Sequence, residues 1–146
     1  CALPISDSDV SRFHSLVEQN HVADKLIYRG ALKDEALKKH YRAASIFLQT
    51  SRWEGLPLVL AEAMSFGLPV VAMYNTGSAE VLESGKYGLI TPATDVNALY
   101  DAIRPLLNNI QLREEYAQRS LQRVEDFKIA PILAQWEAIL SPTFDN

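Results

Sequence analysis

From Ile46 to Met73 two short apolar runs flank a punctuated apolar helix, a pattern that narrows the fold class more than any other stretch of the sequence. Ile46-Phe47-Leu48 and Pro69-Val70-Val71-Ala72-Met73 do not alternate apolar with polar residues, as expected of strands buried on both faces of a parallel sheet. Between them lies a turn at Gly55-Leu56-Pro57. Pro57 suits the first helical position, where its fixed φ fits and its missing N–H is not needed. The spacing predicts a helix over 57–66, with Gly67 as its C-cap and Leu68-Pro69 ending it. Strand, crossover helix and strand in succession imply a parallel pair, whose ligands bind at the carboxyl ends of the strands.

The remaining chain extends this alternation. Residues 7–20 read as a helix with Val10, Phe13, Leu16 and Val17 on one face, 25–28 as a short strand, and 33–43 as a helix with Leu37 and Tyr41 inward. A strand is expected at 87–90, a turn of helix at 79–83, and helices at 95–108, 111–126 and 130–140. Residues 1–6 read as the end of a strand and 141–146 as a loose tail. The expected fold is α/β: one Rossmann-like domain over 1–146, built on a doubly wound parallel sheet.

Composition excludes several function classes. A net charge of −4 with no basic run argues against nucleic acid as a partner. Cys1 is the sole cysteine, so no internal disulfide framework exists. No apolar stretch approaches the ~18 residues of a membrane span, and no signal peptide is visible. These features suit a cytoplasmic domain. The chain opens without methionine, on what reads as a strand end, and is expected to be a fragment of a longer protein.

Two glutamates carry the chemistry. Glu54 sits in the Gly/Pro turn, and Glu62 lies inside an apolar run, where an unpaired charge is costly, so a polar partner is expected for it. The spacing by itself is weak: ten glutamates in 146 residues give about 0.65 such pairs by chance. Their setting says more. The amides of Leu58 and Val59 are expected to point out of the helix N-terminus, where unpaired donors and the positive dipole end suit a phosphate. Glu62 would lie one turn further in, about 6 Å along the axis, a distance that suits a ribose on that phosphate.

Ser51-Arg52-Trp53-Glu54-Gly55-Leu56-Pro57-Leu58-Val59-Leu60-Ala61-Glu62-Ala63-Met64, followed by Gly67-Leu68-Pro69-Val70-Val71-Ala72, resembles the donor-binding half of a retaining GT-B glycosyltransferase of the group 1 family (family 4). Asn75-Thr76-Gly77-Ser78-Ala79-Glu80-Val81, Gly85-Lys86-Tyr87-Gly88-Leu89-Ile90 and Pro92-Ala93-Thr94-Asp95 continue the pattern in the same order. Upstream, Tyr28-Arg29-Gly30 and the stretch from Tyr41 to Leu48 also fit. The resemblance covers nearly all of residues 22–126. It implies the C-terminal half of a GT-B enzyme that binds a nucleotide diphosphate sugar and transfers the sugar with retention. Glu54 would contact the donor sugar and act in catalysis. Gly55, Leu56, Leu58 and Val59 would cradle sugar and pyrophosphate through their backbone. Glu62 would accept from the ribose hydroxyls, and the loop at Gly30 and Leu32 would lie near the base. Many members carry glycine at the place of Pro57, which withdraws one amide and leaves its neighbours. No metal or other cofactor is implied, since basic side chains and a helix dipole offset the leaving diphosphate. Those basic residues, and the domain that binds a saccharide or lipid-linked acceptor, would precede this chain, which alone would then be inactive. Any association with a membrane surface would belong to that missing half.

Each residue also has a plainer reading. Glu54 is then a solvated loop residue, and Glu62 bonds local backbone or an arginine. Glu80 is better read as a helix cap than as a ligand contact. His14, His21 and His40 lack metal-ligand spacing and read as solvated. Trp53 reads as packing beside the turn, with pocket lining as the lesser reading. Mixed charges over 113–126 read as an exposed helix face. A GT-B epimerase or phosphorylase, or a non-catalytic nucleotide-sugar-binding subunit, shares these features. A flavodoxin-like or dinucleotide-binding domain is disfavoured because neither G-x-G-x-x-G nor G-x-x-x-x-G-K-[ST] is present.

Overall fold

The computed structural model describes residues 6–141, which leaves the expected strand end at 1–5 and most of the tail outside the described residues. The chain forms two compact units, one ending at His40 and one starting at Tyr41.

The first unit holds helix α1 (Asp7–Gln19) and the start of α2 (Asp34–Ala43). The Ser6 side chain accepts from the Asp9 amide, and Asp7 and Asp9 place negative charge in the first turn of α1, where the helix dipole favours it. Val17 is buried, whereas Phe13 and Leu16 stay partly exposed. The strand expected at 25–28 does not form. Its residues are irregular, with Leu26, Ile27 and Tyr28 exposed. An apolar run becomes a strand only where a neighbour completes its hydrogen-bond ladder, and no described residue does so here.

The second unit is built on a parallel sheet of β1 (Phe47–Gln49), β2 (Val70–Met73) and β3 (Leu89–Thr91), in that spatial order. Phe47 pairs with Val70, and Val71 with Leu89. Each strand falls within two residues of its expected place. The crossovers are α3 (Leu58–Ser65) and α4 (Thr76–Val81), followed by α5 (Val96–Asn108), α6 (Ile110–Val124) and α7 (Ile129–Leu140).

Every residue of β2 is buried, so both sheet faces are covered, as a doubly wound sheet requires. Val71 and Met73 pack with Leu99 and Leu106 of α5. Alternation turns Val70 and Ala72 to the other face, and α3 contacts this same strand. Leu60, Ala63 and Met64 of α3 are fully buried.

Candidate functional site

The site begins where β1 ends. Gln49 is 5% exposed and its Nε2 donates to Oε1 of half-buried Glu54 at 3.3 Å. Buried Ser78 of α4 donates from Oγ to Gln49 Oε1 at 3.2 Å, so Glu54 is oriented through a strand residue held in turn by the next crossover. Asn75 ties the same two loops. Its Nδ2 donates to the Ser51 carbonyl at 3.0 Å and its Oδ1 accepts from the Ser78 amide at 2.8 Å.

Gly77 closes the packing. A Cβ there would lie 2.3 Å from the Gly55 carbonyl oxygen and 2.6 Å from Pro57 Cδ, so only glycine lets α4 press against the turn. Sequence reasoning missed Gln49 as a positioning residue. The available signal was a polar residue directly after the apolar run Ile46-Phe47-Leu48.

The turn enters α3 one residue later than expected. Pro57 is the N-cap, with φ −77° and ψ 85°, and Leu58 is the first helical residue. The Leu58 amide is not free as expected: it donates to the Leu56 carbonyl at 2.9 Å, because the chain doubles back tightly before the helix. The Leu60 amide donates to the Pro57 carbonyl at 2.9 Å. Among the described residues no backbone acceptor takes the Val59 amide, which leaves it as the donor at this positive helix end.

Glu62 is exposed rather than buried, a correction with a geometric cause. Leu60, Ala63 and Met64 form the inward face at helical spacing, and a residue two places after Leu60 is turned about 200° away from it. Leu58, Glu62 and Ser65 instead share the outer face. Glu62 does have a polar partner: the Tyr41 hydroxyl donates to its Oε2 at 3.2 Å. Tyr41 is 8% exposed and stacks on Phe66 with ring centroids 5.2 Å apart. Burial, then the Glu62 charge and hydrogen bond, push the Tyr41 hydroxyl up to about 12, so it stays a donor at neutral pH.

Glu54, Gly55 and Leu56 thus lie in the loop that follows β1, and Leu58, Val59 and Glu62 on α3, the helix after it. Gly30 (φ +63°) and Leu32 belong to the first unit, where Gly30 is exposed and Leu32 half-buried.

Three other expectations are corrected. Trp53 is 92% exposed rather than packed beside the turn, and it lines a cleft of about 300 Å³ with Arg52, Glu54, Tyr74, Asn75 and Thr76. Helix α4 covers Thr76–Val81 rather than 79–83, and its cap is Asn75, so Glu80 lies past the first turn and caps nothing. The three histidines, by contrast, are exposed as their solvated reading expects; among the described residues no group of three His, Cys, Asp or Glu side chains gathers.

Residues 5–123 match the family described as glycosyl transferases group 1. The chain belongs to that family. Among its relatives, the amylovoran biosynthesis glycosyltransferase AmsD of Erwinia amylovora is 35% identical over 107 residues, 72% of this chain and 30% of that protein. The sucrose-phosphate synthase of Thermosynechococcus elongatus superposes on 92% of this chain and 34% of its own, with 28% identity and a TM-score of 0.81. Anabaena HepE, solved with UDP and glucose, superposes on 92% of this chain and 36% of its own, at 23% identity and a TM-score of 0.81. These likenesses give the fold, a Rossmann-like GT-B half. The chain spans about three tenths of the length of the curated relatives that it matches.

Proposed function

We propose that this chain is the donor-binding half of a retaining glycosyltransferase that uses a nucleotide diphosphate sugar. The observation that carries the reading is the placement of the two glutamates. Glu54 is held at the carboxyl end of β1 by Gln49, and Glu62 stands on the outer face of α3 one turn beyond the Val59 amide. A diphosphate at the positive end of α3 then sets its ribose beside Glu62 and its sugar beside Glu54. Charge-assisted hydrogen bonds from ribose hydroxyls to Glu62 contribute about 1.5–3 kcal/mol each. The Tyr41 hydroxyl donates to one oxygen of that carboxylate.

Family membership and the UDP held by HepE, a protein of the same fold, support the reading. Gly55, Leu56 and Leu58 shape the turn around the sugar and pyrophosphate. The acceptor, a saccharide or lipid-linked saccharide, binds chiefly on the remainder of the protein, so this chain alone is inactive.

Amide spectra of the ¹⁵N-labelled chain, titrated with UDP, GDP and ADP, test this. The expected result is shifts centred on 56–62 for one nucleotide, weakened by Glu62→Ala. A half site is expected to bind near 1 mM, or about −4 kcal/mol. Silence from every nucleotide at about 10 mM would overturn the proposal.

A further inference from the structure

Exposed glutamates ordinarily pair, if at all, with lysine or arginine chains whose ends are mobile, and such pairs fix little. Glu62 is held differently. Among the described residues its carboxylate makes one hydrogen bond, from the hydroxyl of Tyr41 to Oε2 at 3.2 Å, and Tyr41 is 8% exposed. Both residues belong to the second unit. The Tyr41 ring is packed from two sides. Phe66, the C-cap of α3, stacks on it at 5.2 Å and 22°, and Phe47 of β1 lies 6.0 Å away at 48°. Arg42 in turn places its guanidinium 5.7 Å from the Phe66 ring centre. A tyrosine side chain has only two torsions to lose, and close packing of the ring leaves its hydroxyl stationary. The donor is also neutral. Burial, then the Glu62 charge, push the hydroxyl up to about 12, so it keeps its proton while the carboxylate keeps its charge. A guanidinium in its place would cancel the charge that makes Glu62 a strong acceptor for hydroxyl donors. One phenol takes one of about four acceptor positions on a carboxylate, and the others stay open.

We infer that Tyr41 is a positioning residue for the donor: it fixes the Glu62 carboxylate against the ribose, and this makes the site select ribonucleotides over nucleotides that lack a ribose hydroxyl. The inference rests on the donor-binding reading above. An exposed glutamate without such a tie spreads over several rotamers, and a ligand that orders it does so at the expense of affinity. With Tyr41 in place that ordering precedes binding, and the gain goes only to a ligand that donates to the carboxylate. A deoxynucleotide covers the same acceptor and leaves it unpaired, which is how a site built around a hydroxyl rejects the analogue without it. A tie that served only to hold α2 against α3 would act on every nucleotide alike.

The test uses the whole chain and follows amide shifts over 56–62 with UDP, GDP and ADP, each against its 2′-deoxy and 3′-deoxy counterparts. For the nucleotide that binds, the ribose form is expected to bind about tenfold more tightly than at least one deoxy form. Tyr41→Phe keeps the ring on Phe66. It is expected to weaken the ribose form about 3- to 10-fold and to bring the ratio of ribose to deoxy affinities within about twofold. In a Glu62→Ala background, Tyr41→Phe is expected to add no further loss, because the two side chains act as one unit. Equal weakening of ribose and deoxy forms, or losses that add in the double variant, would make Tyr41 a structural tie and overturn its positioning role. A wild-type chain without preference for the ribose form would overturn it too. In each of these cases, shifts over 56–62 that Glu62→Ala weakens would leave the donor reading standing. Absence of shifts with every nucleotide would overturn the donor reading and the role of Tyr41 together.

Discussion

Tyr41 and Glu62 show how one buried hydroxyl supports one exposed carboxylate. The Tyr41 hydroxyl is pushed from 10.0 up to about 12, first by burial and then by Glu62. Its folded value lies above its unfolded value, so the associated stability is present in full below pH 10 and is lost as pH rises towards 12. Thermal melts are therefore expected to show a stability loss between pH 10 and pH 12 that Tyr41→Phe removes. The phenylalanine keeps the stacking on Phe66, so an unchanged alkaline loss in the variant would refute the assignment. Gly77 gives a second prediction at this scale. Gly77→Ala sets a methyl carbon 2.3 Å from a backbone oxygen that no rotamer change can move. The expected cost is about 1–3 kcal/mol in urea titrations, because the turn at 55–57 must shift. Nucleotide binding should weaken with it, although Gly77 itself touches no part of the proposed ligand.

The elements owe their ends to local chemistry. Helix α3 stops in a Schellman arrangement: the Gly67 amide donates to the Met64 carbonyl at 2.9 Å and the Leu68 amide to the Ala63 carbonyl at 3.3 Å. Gly67 has φ +67°, and a Cβ there would meet only the Leu121 side chain, at an ordinary 3.6 Å. The cost of Gly67→Ala is then conformational alone, about 1–2 kcal/mol, and Gly67→Asn should recover part of it. Denaturant midpoints of the two variants check this. An alanine without effect would mean that the positive φ is not needed. Helices α4, α5 and α6 begin the same way, with Asn75, Asp95 and Asn109 each accepting from an amide three residues on.

At the scale of the second unit, α6 staples the crossovers together. Ser120 is fully buried and donates to the Leu68 carbonyl at 2.7 Å, which fixes α6 to the turn before β2. Arg123 reaches the end of α4, donating from Nε to the Val81 carbonyl at 2.8 Å and from Nη2 to the Glu80 carbonyl at 3.1 Å. It also pairs with Glu83 and Asp126, and its guanidinium lies 4.7 Å from the Phe127 ring centre. A lysine cannot reproduce a planar fork that serves two carbonyls and two carboxylates. Arg123→Lys is expected to cost about 1.5–3 kcal/mol in chemical denaturation. A loss within 0.5 kcal/mol, the ordinary range for surface changes, would show that the fork is dispensable.

The sequence by itself determined the parallel strands of the second unit, the glycine stop of α3 and the stretch in which the two glutamates stand. Those signals are local: apolar runs, fixed-φ proline and left-handed glycine act within a few residues. Helical periodicity also held what was misread at Glu62. Leu60, Ala63 and Met64 already mark the inward face, and a continuous apolar run hid it. Only the tertiary structure decided which polar side chains meet. Gln49 finds Ser78 across 29 positions and Tyr41 finds Glu62 across 21, pairings that depend on how crossovers pack rather than on any neighbour in the chain. It also decided that 25–28 forms no strand and that Trp53 stands in solvent, because ladder partners and packing partners come from elsewhere in the fold.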